Sequence, residues 1–322
     1  MKSVPRVLHV GNVANAAAEL RDALGSLGLA ECLVVETHNN RLQFAEDARF
    51  TWDWLSSAYR RLERSASLVL LLKGLVSEAD IVHVHHAGRI PLAVQRWARA
   101  KGKRVVRHFR GEELRSGGAG GEVGTADFVF VSTPDLLQHV PADYPKERVA
   151  WMPNPYRFPD VCPPQPPAGS IRIVHSYLPG ATYAAVYGTE IVRKAVASLK
   201  SAGHDIELDE VAGVPHGEAL SRYRQAHIAV DKLLIGWHGM FSVECAALGR
   251  PPLAGIAPDL AHLRPPVIPV TEDTLMQTLE SLSQSEVERE RIARALFERG
   301  KSLHGADAVA RRVAAVYQSL LA

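Results

Sequence analysis

Short apolar strands alternate with helical segments along almost the whole chain, and this alternation restricts the fold more than any other feature. Helices are predicted between strands at 16–27, 188–202 and 216–225, with Thr189 as the cap of the second of them. Further helices are predicted after the last strand, at 271–283 and 286–301. Strand–helix–strand units join parallel strands by right-handed crossovers, and such sheets are covered on both faces. The sequence therefore predicts an α/β protein with parallel sheets. The predicted strands lie at 6–10, 33–35, 81–85, 104–109, 128–132, 171–175, 206–211, 228–235, 252–255 and 267–270.

A proline-dense segment divides this pattern into two halves. Residues 161–169 read VCPPQPPAG, which is stiff and extended and forms neither a helix nor a central strand. We therefore predict two Rossmann-like domains, at 1–160 and 170–305, joined by a linker at 161–169. The last helix, 306–322, is free to pack back on the first domain. Ligands are expected in a cleft between the carboxyl ends of the two sets of strands.

The composition is that of an ordinary soluble protein. Of the 322 residues, 47% are hydrophobic and 22% charged, and 37 basic against 35 acidic residues give a net charge of +2. This balance argues against a large nucleic-acid surface. Cys32, Cys162 and Cys245 are odd in number and lack metal-ligand spacing, which indicates a reducing compartment. Because no signal core precedes the first strand and the longest apolar run, 66–72, is too short for a membrane span, a cytoplasmic location is predicted.

The segment from Asp231 to Pro252 combines a strand end, a glycine turn and a helix at 242–248. A turn bracketed by Gly236 and Gly239 that opens a helix presents backbone N–H groups and the positive end of the helix dipole, which suits phosphate. Glu244 lies in the first helical turns, within reach of a ligand held there. An ordinary strand–turn–helix, with glycines for close packing, explains the same pattern equally well.

Polar residues follow several predicted strands of the first half, where a parallel sheet binds its ligands. His83 and His85 share one face of a strand and His86 points to the other, so these three are not expected to form a metal site. We interpret His83 as a core residue and His85 or His86 as a site residue. Asn12 and Asn15 either cap the following helix or face a ligand.

Two basic stretches each allow two interpretations. The arginines at 104, 107, 110 and 115 form either a solvated edge of ion pairs or an anion site. Residues 50–76 mix tryptophan, tyrosine and basic residues, which is typical of an amphipathic helix on an anionic membrane. A helical pair packed on the sheet with its basic side in water is the simpler explanation of that segment.

Taken in order, several stretches resemble GT-B glycosyltransferases of the large retaining group (group 1, family 4-like) that uses nucleotide-diphosphate sugars. They extend over nearly the whole chain, from about Arg6 to Leu321, and imply two Rossmann-like domains facing a cleft. The stretches are ADIVHVHHAGR, HFRGEELR, VSTPDLLQHVP, WMPNPYRFPD, IRIVHSYLPG followed by YGTEIVRKAVASLKSAG, VPHGEALSRYRQAHIAVDKLLIGWHGMFSVECAALGRPP and TEDTL.

The resemblance also implies a role for each domain. The second domain would bind a UDP- or GDP-sugar as co-substrate, and the first would bind the acceptor, with no bound cofactor or metal. Glu244 matches a family glutamate that contacts the ribose, and carboxylate oxygens accept hydrogen bonds from vicinal hydroxyls. His85 and Arg110 are the expected catalytic residues. The expected donor site is Gly236, Trp237, His238, Gly239, Met240, Phe241 and Glu244. The expected acceptor or cleft residues are Asn12, Asn15, His86, Glu113 and Asn154.

The sequence departs from the family pattern at three places. Gly236 stands where the family commonly has the first of two glutamates, so a contact to a sugar hydroxyl is missing. Ala184, Ala185 and Tyr187 stand where basic residues usually neutralise the leaving diphosphate. Arg110 replaces a family histidine, and its guanidinium would restore a positive charge by pairing with phosphate oxygens.

The predicted function is transfer of a sugar from a nucleotide-diphosphate donor, with retention of configuration, to an acceptor that the sequence does not define. A glycan, a lipid-linked molecule, a protein or a nucleic acid all stay open, as does peripheral membrane contact through 50–76. The three departures support an alternative function, a non-catalytic GT-B module that binds nucleotide or glycan or supports a partner enzyme.

Overall fold

The computed structural model describes residues 4–35, 71–85, 89–117, 120–166 and 169–322. The chain forms two compact units, the first from the residues up to Pro155 together with Ala306–Ala322, and the second from Tyr156–Gly305. A six-stranded parallel sheet forms the centre of the first unit and a five-stranded parallel sheet that of the second. The predicted fold class, two Rossmann-like parallel sheets with helices between the strands, is confirmed.

In the first unit the sheet has the order β2-β1-β3-β4-β5-β6. The strands are β1 Arg6–Val10, β2 Glu31–Val35, β3 Ile81–His85, β4 Arg104–Phe109, β5 Phe128–Val131 and β6 Val149–Trp151. The helices are α1 Ala16–Ser26, α2 Arg89–Ala100, α3 Glu112–Arg115 and α4 Gly120–Val123. Residues 71–78 are also helical. Apolar side chains alternate along the strands and bury both faces of the sheet, as a parallel sheet requires.

In the second unit the order is β11-β10-β9-β7-β8. The strands are β7 Ile171–Ser176, β8 Ile206–Val211, β9 Ile228–Val230, β10 Pro252–Ala254 and β11 Ile268–Pro269. The helices are α5 Ala181–Tyr187, α6 Thr189–Ser201, α7 His216–Gln225, α8 Met240–Ala247, α9 Glu272–Gln284 and α10 Glu286–His304. The predicted helices at 271–283 and 286–301 are confirmed within a few residues.

Two local predictions in the second unit are wrong. The strand predicted at 228–235 ends at Val230, because Asp231 turns back to accept a hydrogen bond from the Gly239 amide, and Leu234 is left 60% exposed. Thr189 does not cap α6 with its side chain. It is buried, and its Oγ1 lies 3.0 Å from Nε2 of His175.

The proline-rich residues predicted as a linker belong to the second unit. Gln165 donates a 2.5 Å hydrogen bond from its amide nitrogen to the carbonyl of Gly249. Gly249 has a φ of +72°, and a Cβ at this position would collide with the carbonyl of Pro163. Close approach of the two backbones therefore requires glycine here. The role of 161–169 as a stiff linker between two domains stays a prediction.

The C-terminal helix, α11 Ala306–Leu321, belongs to the first unit. Val309, Val313 and Tyr317 recur every four residues, so they lie on one face, and all three are fully buried with side chains of α1 and the sheet. The hydroxyl of Tyr317 lies 2.6 Å from Nδ1 of His83, at the middle of the sheet. A polar contact therefore joins the end of the chain to β3.

Most of the segment proposed to contact a membrane lies outside the described residues, which resume at 71. Leu72 and Val76 are buried in the core beside α2, and the Lys73 ammonium lies 5.4 Å from the centre of the Trp97 ring. No helix of the described residues is both long and apolar enough to cross a membrane. Membrane contact through 50–76 stays a prediction.

Replacing Tyr317 by phenylalanine tests the contact between α11 and β3. Because the substitution leaves a buried nitrogen of His83 without its partner, we expect the free energy of unfolding to fall by about 1–3 kcal/mol. Urea denaturation measures this change. Ser319→Ala, which removes an exposed hydroxyl from the same helix, is the matched control and should change little. Equal stability of the two variants would contradict the contact.

Candidate functional site

The turn between β9 and α8 is built around the carboxylate of Asp231. One of its oxygens accepts hydrogen bonds from the Gly239 amide and from the Ser242 hydroxyl, both at 2.6 Å. Gly236 has a φ of +83°, which favours glycine, and it redirects the chain within the turn. The expectation of unpaired amides in this turn is therefore wrong at Gly239, which already donates to a carboxylate.

Two residues of the predicted donor site form the floor of this turn. Trp237 and His238 are 2% and 3% exposed, and the His238 ring packs edge-on against His304. Burial lowers the pKa of His238 to about 3, although the carbonyl of Gly239 opposes the shift. His238 is therefore neutral at pH 7 and adds no positive charge to this turn.

Glu244 lies on the second turn of α8 and is 7% exposed. Its Oε1 is 2.8 Å from Nε2 of His216, the first residue of α7. Met240 and Phe241 open α8 and are partly exposed, and Phe241 packs edge-on against Tyr223 at 4.8 Å. The α7–α8 contact thus fixes the orientation of the carboxylate beside the turn.

A positive charge lies at this turn that the sequence comparison did not identify. Lys232 directly follows Asp231, and its Nζ is 3.1 Å from the position that a Cβ on Gly239 would occupy. Arg193 on α6, by contrast, is engaged in ion pairs with Glu190 and with Glu210 at the end of β8. Lys232 therefore adds a positive charge beside Gly239.

In the first unit four imidazoles lie on one face of the sheet near its carboxyl edge. His9 on β1 is paired with His83 on β3, and His85 is paired with His108 on β4. The ring of His85 lies 4.2 Å from that of His83 and 5.7 Å from that of His108. All four are at most 1% exposed. Parallel register brings these residues together, although His9 and His85 are 76 positions apart.

The hydrogen bonds of the cluster fix its proton positions. Arginine carries only donors, so Nη2 of Arg110 donates to Nδ1 of His85 at 2.6 Å. A neutral His85 then carries its proton on Nε2 and donates to Nδ1 of His9 at 2.9 Å. His108 donates from Nε2 to the carbonyl of Met152 at 3.1 Å. His85 is therefore hydrogen-bonded to Arg110 and His9, and it is itself fully buried.

Arg110 links the cluster to the loops at the edge of the sheet. Its guanidinium also donates to Oδ1 of Asn154, and its backbone amide donates to Oε1 of Glu113 at 2.5 Å. Desolvation lowers the pKa of Arg110 to about 9 while Glu113 opposes the shift, so the side chain stays charged at pH 7. Arg110, Glu113 and Asn154, all predicted site residues, are therefore brought together.

The remaining predicted residues of the first unit are accounted for individually. Oδ1 of Asn12 accepts hydrogen bonds from the amides of Ala17 and Ala18, both at 3.1 Å, so Asn12 caps α1. Asn15 donates to Glu19 within the same helix at 3.3 Å. His86 lies outside the described residues.

The basic run of the first unit does not form one anion site. Arg107 is buried and paired with Glu122, and Arg115 is paired with Asp135. Arg104 lies 3.8 Å from Asp127. The charges of these three arginines are balanced by separate carboxylates, which supports the interpretation as ion pairs for every member except Arg110.

The histidine cluster also contains a group with metal-ligand geometry. One nitrogen each from His9, His83 and His85 lies within 4.8 Å of the others, and no other group of this kind occurs in the described part of the chain. The sequence argument against a metal considered His83, His85 and His86 and missed His9, which comes from the neighbouring strand. A metal held by all three would have to replace the hydrogen bond between His9 and His85.

Acid should destabilise the protein through these buried imidazoles. Desolvation, aided by Arg21 and Arg110, lowers the pKa of His9 to about 3, and the pKa values of His83 and His108 are also well below normal. The unfolded chain binds protons below pH 6.5 and the folded chain does not, so stability is lost as the pH falls from about 6.5 towards 3. Each such histidine contributes up to roughly 1.4 kcal/mol per pH unit.

The measurement is urea denaturation between pH 7.5 and 5. We expect His9→Asn to take up about one proton fewer than the wild type on unfolding at pH 5, whatever its absolute stability. His139→Asn, which removes an exposed histidine, should leave the proton uptake close to that of the wild type. An unchanged slope in His9→Asn would show that this imidazole titrates normally in the folded protein.

Comparison with known proteins gives the fold. No protein-family model matches the sequence, and no curated protein sequence does. Among solved structures, HepE of Anabaena, in complex with UDP-glucose, is similar with a TM-score of 0.64 and 13% identity, covering 98% of this chain and 100% of that one. The apo form of the lipopolysaccharide outer core galactosyltransferase WaaB is similar with a TM-score of 0.59 and 11% identity, over 98% and 99% of the two chains.

The same fold also occurs in a protein described with a different activity. A putative UDP-N-acetylglucosamine 2-epimerase from Listeria monocytogenes is similar with a TM-score of 0.55 and 14% identity, over 98% of this chain and 96% of that one. Identities this low establish the architecture and leave the chemistry to the residues of the site. With a six-stranded and a five-stranded parallel sheet in its two units, the chain has the GT-B fold of these glycosyltransferases.

Proposed function

We propose that the protein transfers a sugar from a nucleotide-diphosphate donor that binds at the turn between β9 and α8. The observation that carries this proposal is the orientation of Glu244, whose buried carboxylate is held by His216 beside a turn that also presents Lys232. A carboxylate accepts hydrogen bonds from the two ribose hydroxyls, and an ammonium offsets phosphate charge. HepE was solved with UDP-glucose, which makes UDP the first nucleotide to test.

In this proposal Lys232 replaces the basic residues that are missing near Ala184 and Ala185. The bond between the anomeric carbon and the β-phosphate oxygen breaks, and its electron pair leaves with the nucleoside diphosphate. The acceptor hydroxyl oxygen bonds to the anomeric carbon, and its proton passes to the leaving phosphate. Positive charge near the leaving oxygen lowers the barrier because negative charge develops there. We propose retention of configuration on the basis of the family resemblance alone.

The first unit would bind the acceptor at the carboxyl edge of its sheet. Arg110 and Asn154 are joined there by a hydrogen bond, the residue Arg110 is partly exposed, and its guanidinium is charged. A charged guanidinium suits an acceptor with hydroxyl or anionic groups. Arg110 is thus proposed to contact substrate, and His85 to position Arg110.

The alternative function, a module that binds a nucleotide without turnover, is supported by two features of the turn. Gly236 supplies no carboxylate for the sugar, and the Gly239 amide is already bonded to Asp231. Such a module would bind UDP but would not hydrolyse or transfer the sugar.

Binding of UDP is tested first, by thermal unfolding and calorimetry. At a UDP concentration of one hundred times the Kd we expect the melting temperature to rise by roughly 5 °C. Glu244→Gln should weaken UDP binding at least about tenfold, because one charged acceptor of the ribose hydroxyls is lost. Glu272→Gln, which neutralises an exposed glutamate at the start of α9, is the control and should bind normally.

Activity is then measured as release of UDP from UDP-sugars, with and without acceptors. Binding without UDP release would favour the non-catalytic module. Conversion of a UDP-sugar to its epimer with no transfer would contradict the transferase and favour an epimerase. If no nucleotide shifts the melting temperature, the proposed donor site does not exist.

A further inference from the structure

A cavity lies in the second unit at the amino edge of its sheet, where β7 and β9 begin. Its volume is about 590 Å³, which is within the range of small-molecule sites. One wall is formed by the proline-rich residues 163–166, and the others by residues that flank β7, α7 and α8. The side chains that matter for its chemistry are Arg172, Arg224, Gln225, His227 and Arg250.

Arg250 is the buried cation of this cavity. It is 5% exposed, and its guanidinium donates to the carbonyls of Pro164 at 2.7 Å and Arg224 at 2.9 Å. Its Nε has no hydrogen-bond partner among the described residues, and none of their carboxylates forms an ion pair with it. These carbonyls anchor the proline-rich wall, but they supply only partial negative charge. A buried guanidinium that is bonded only to carbonyls favours a nearby anion, because it is shielded from water and has no carboxylate partner among the described residues.

Two further guanidiniums face the same cavity from its more open side. Arg224 is exposed and forms no ion pair with the described residues. Arg172 donates to Oε1 of Gln225 at 2.8 Å and lies 3.9 Å from the exposed carboxylate of Glu207. Among the described residues, only Glu207 forms an ion pair with any of the three arginines, and its side chain is 58% exposed and screened by water.

His227 adds an imidazole to the lining. Its Nδ1 accepts the backbone amide of Arg172 at 3.0 Å. A neutral ring must then carry its proton on Nε2. The described residues that line the cavity include no aspartate and no glutamate. The lining thus combines three guanidiniums and an imidazole.

From the juxtaposition of Arg250, Arg224, Arg172 and His227 around this cavity, we infer that it binds a small molecule bearing phosphate groups. The planar guanidinium group forms paired hydrogen bonds to phosphate oxygens. A phosphate group carries up to two negative charges at pH 7, so it matches several arginines better than a ligand with a single carboxylate. A cavity of about 590 Å³ has the size for a compact ligand of this kind.

This site is separate from the proposed donor site and does not depend on it. His227 directly precedes β9, whereas Asp231 and the turn directly follow β9, so the two sites lie at opposite edges of one sheet. Leu248 and Arg250, which line the cavity, follow the carboxyl end of α8, whereas the donor turn precedes its amino end. A phosphate-bearing ligand here would contact both the proline-rich wall and the base of α8.

The test is calorimetric titration of the whole protein with inorganic pyrophosphate at low ionic strength, where screening is weak. We expect Arg224→Ala to weaken binding to this site at least about tenfold, because one charged contact to phosphate is lost. The carbonyl of Arg224 that anchors Arg250 is retained in this variant, and the side chain is exposed, so the fold should persist. Arg172→Ala should show a loss of similar size.

Two controls separate this site from other anion binding. Lys194→Ala removes an exposed charge on α6 outside the cavity and should bind pyrophosphate normally. Lys232→Ala removes the cation of the donor turn. Pyrophosphate binding at the cavity, which Arg224→Ala is expected to weaken, should be unchanged in this variant. Pyrophosphate binding that is lost in Lys232→Ala and unchanged in Arg224→Ala would overturn the inference, as would no binding at all. Binding that is weakened in Arg224→Ala and Arg172→Ala but kept in Lys194→Ala and Lys232→Ala would support it, even if UDP does not bind.

Discussion

The carboxylate of Asp231 connects the end of β9 to the start of α8, and the geometry of the candidate site depends on it. A single oxygen accepts two hydrogen bonds at 2.6 Å, from the Gly239 amide and the Ser242 hydroxyl. Negative charge is stabilised at a helix amino end by the helix dipole, so the turn is held without a ligand. A phosphate that approaches the same helix end must then overcome repulsion from Asp231. In the proposed function, the adjacent ammonium of Lys232 would compensate for that repulsion.

In the first unit, the geometry near the carboxyl edge of the sheet depends on the desolvation of buried histidines. Four imidazoles are buried near the carboxyl edge of the sheet, and burial is the largest cause of the lowered pKa values of His9, His83, His85 and His108. They remain neutral, so hydrogen bonds rather than charge set their orientation. Only Arg110 keeps a positive charge in this group, and it is oriented by Asn154 and His85. The cluster therefore directs one cation towards the edge where a parallel sheet binds its ligands.

The sequence predicts the sheets, most helices and the edges at which polar residues gather, because these follow from apolar periodicity. It overextends β9 because Leu233, Leu234 and Ile235 continue the apolar run, whereas the backbone is already committed to the Asp231 turn. Contacts between distant positions leave no local pattern. His9 and His85 are separated by 76 positions, and His83 and Tyr317 by 234.

Other features of the site were missed for a related reason. Lys232 and His216 are ordinary polar residues in the sequence, and only the packing of α7 on α8 and the shape of the turn bring them beside Glu244 and Gly239. The basic cavity is assembled in the same way from segments around 165, 172, 224 and 250.

The most direct test of the account is amide hydrogen exchange with and without saturating UDP. If the nucleotide binds at the turn between β9 and α8, exchange should slow at residues 236–244 and at the start of α7 around His216. The amino edge of the same sheet, around Arg172 and His227, should be unaffected. UDP binding that slows exchange elsewhere and leaves 236–244 unchanged would contradict the assignment of the donor site.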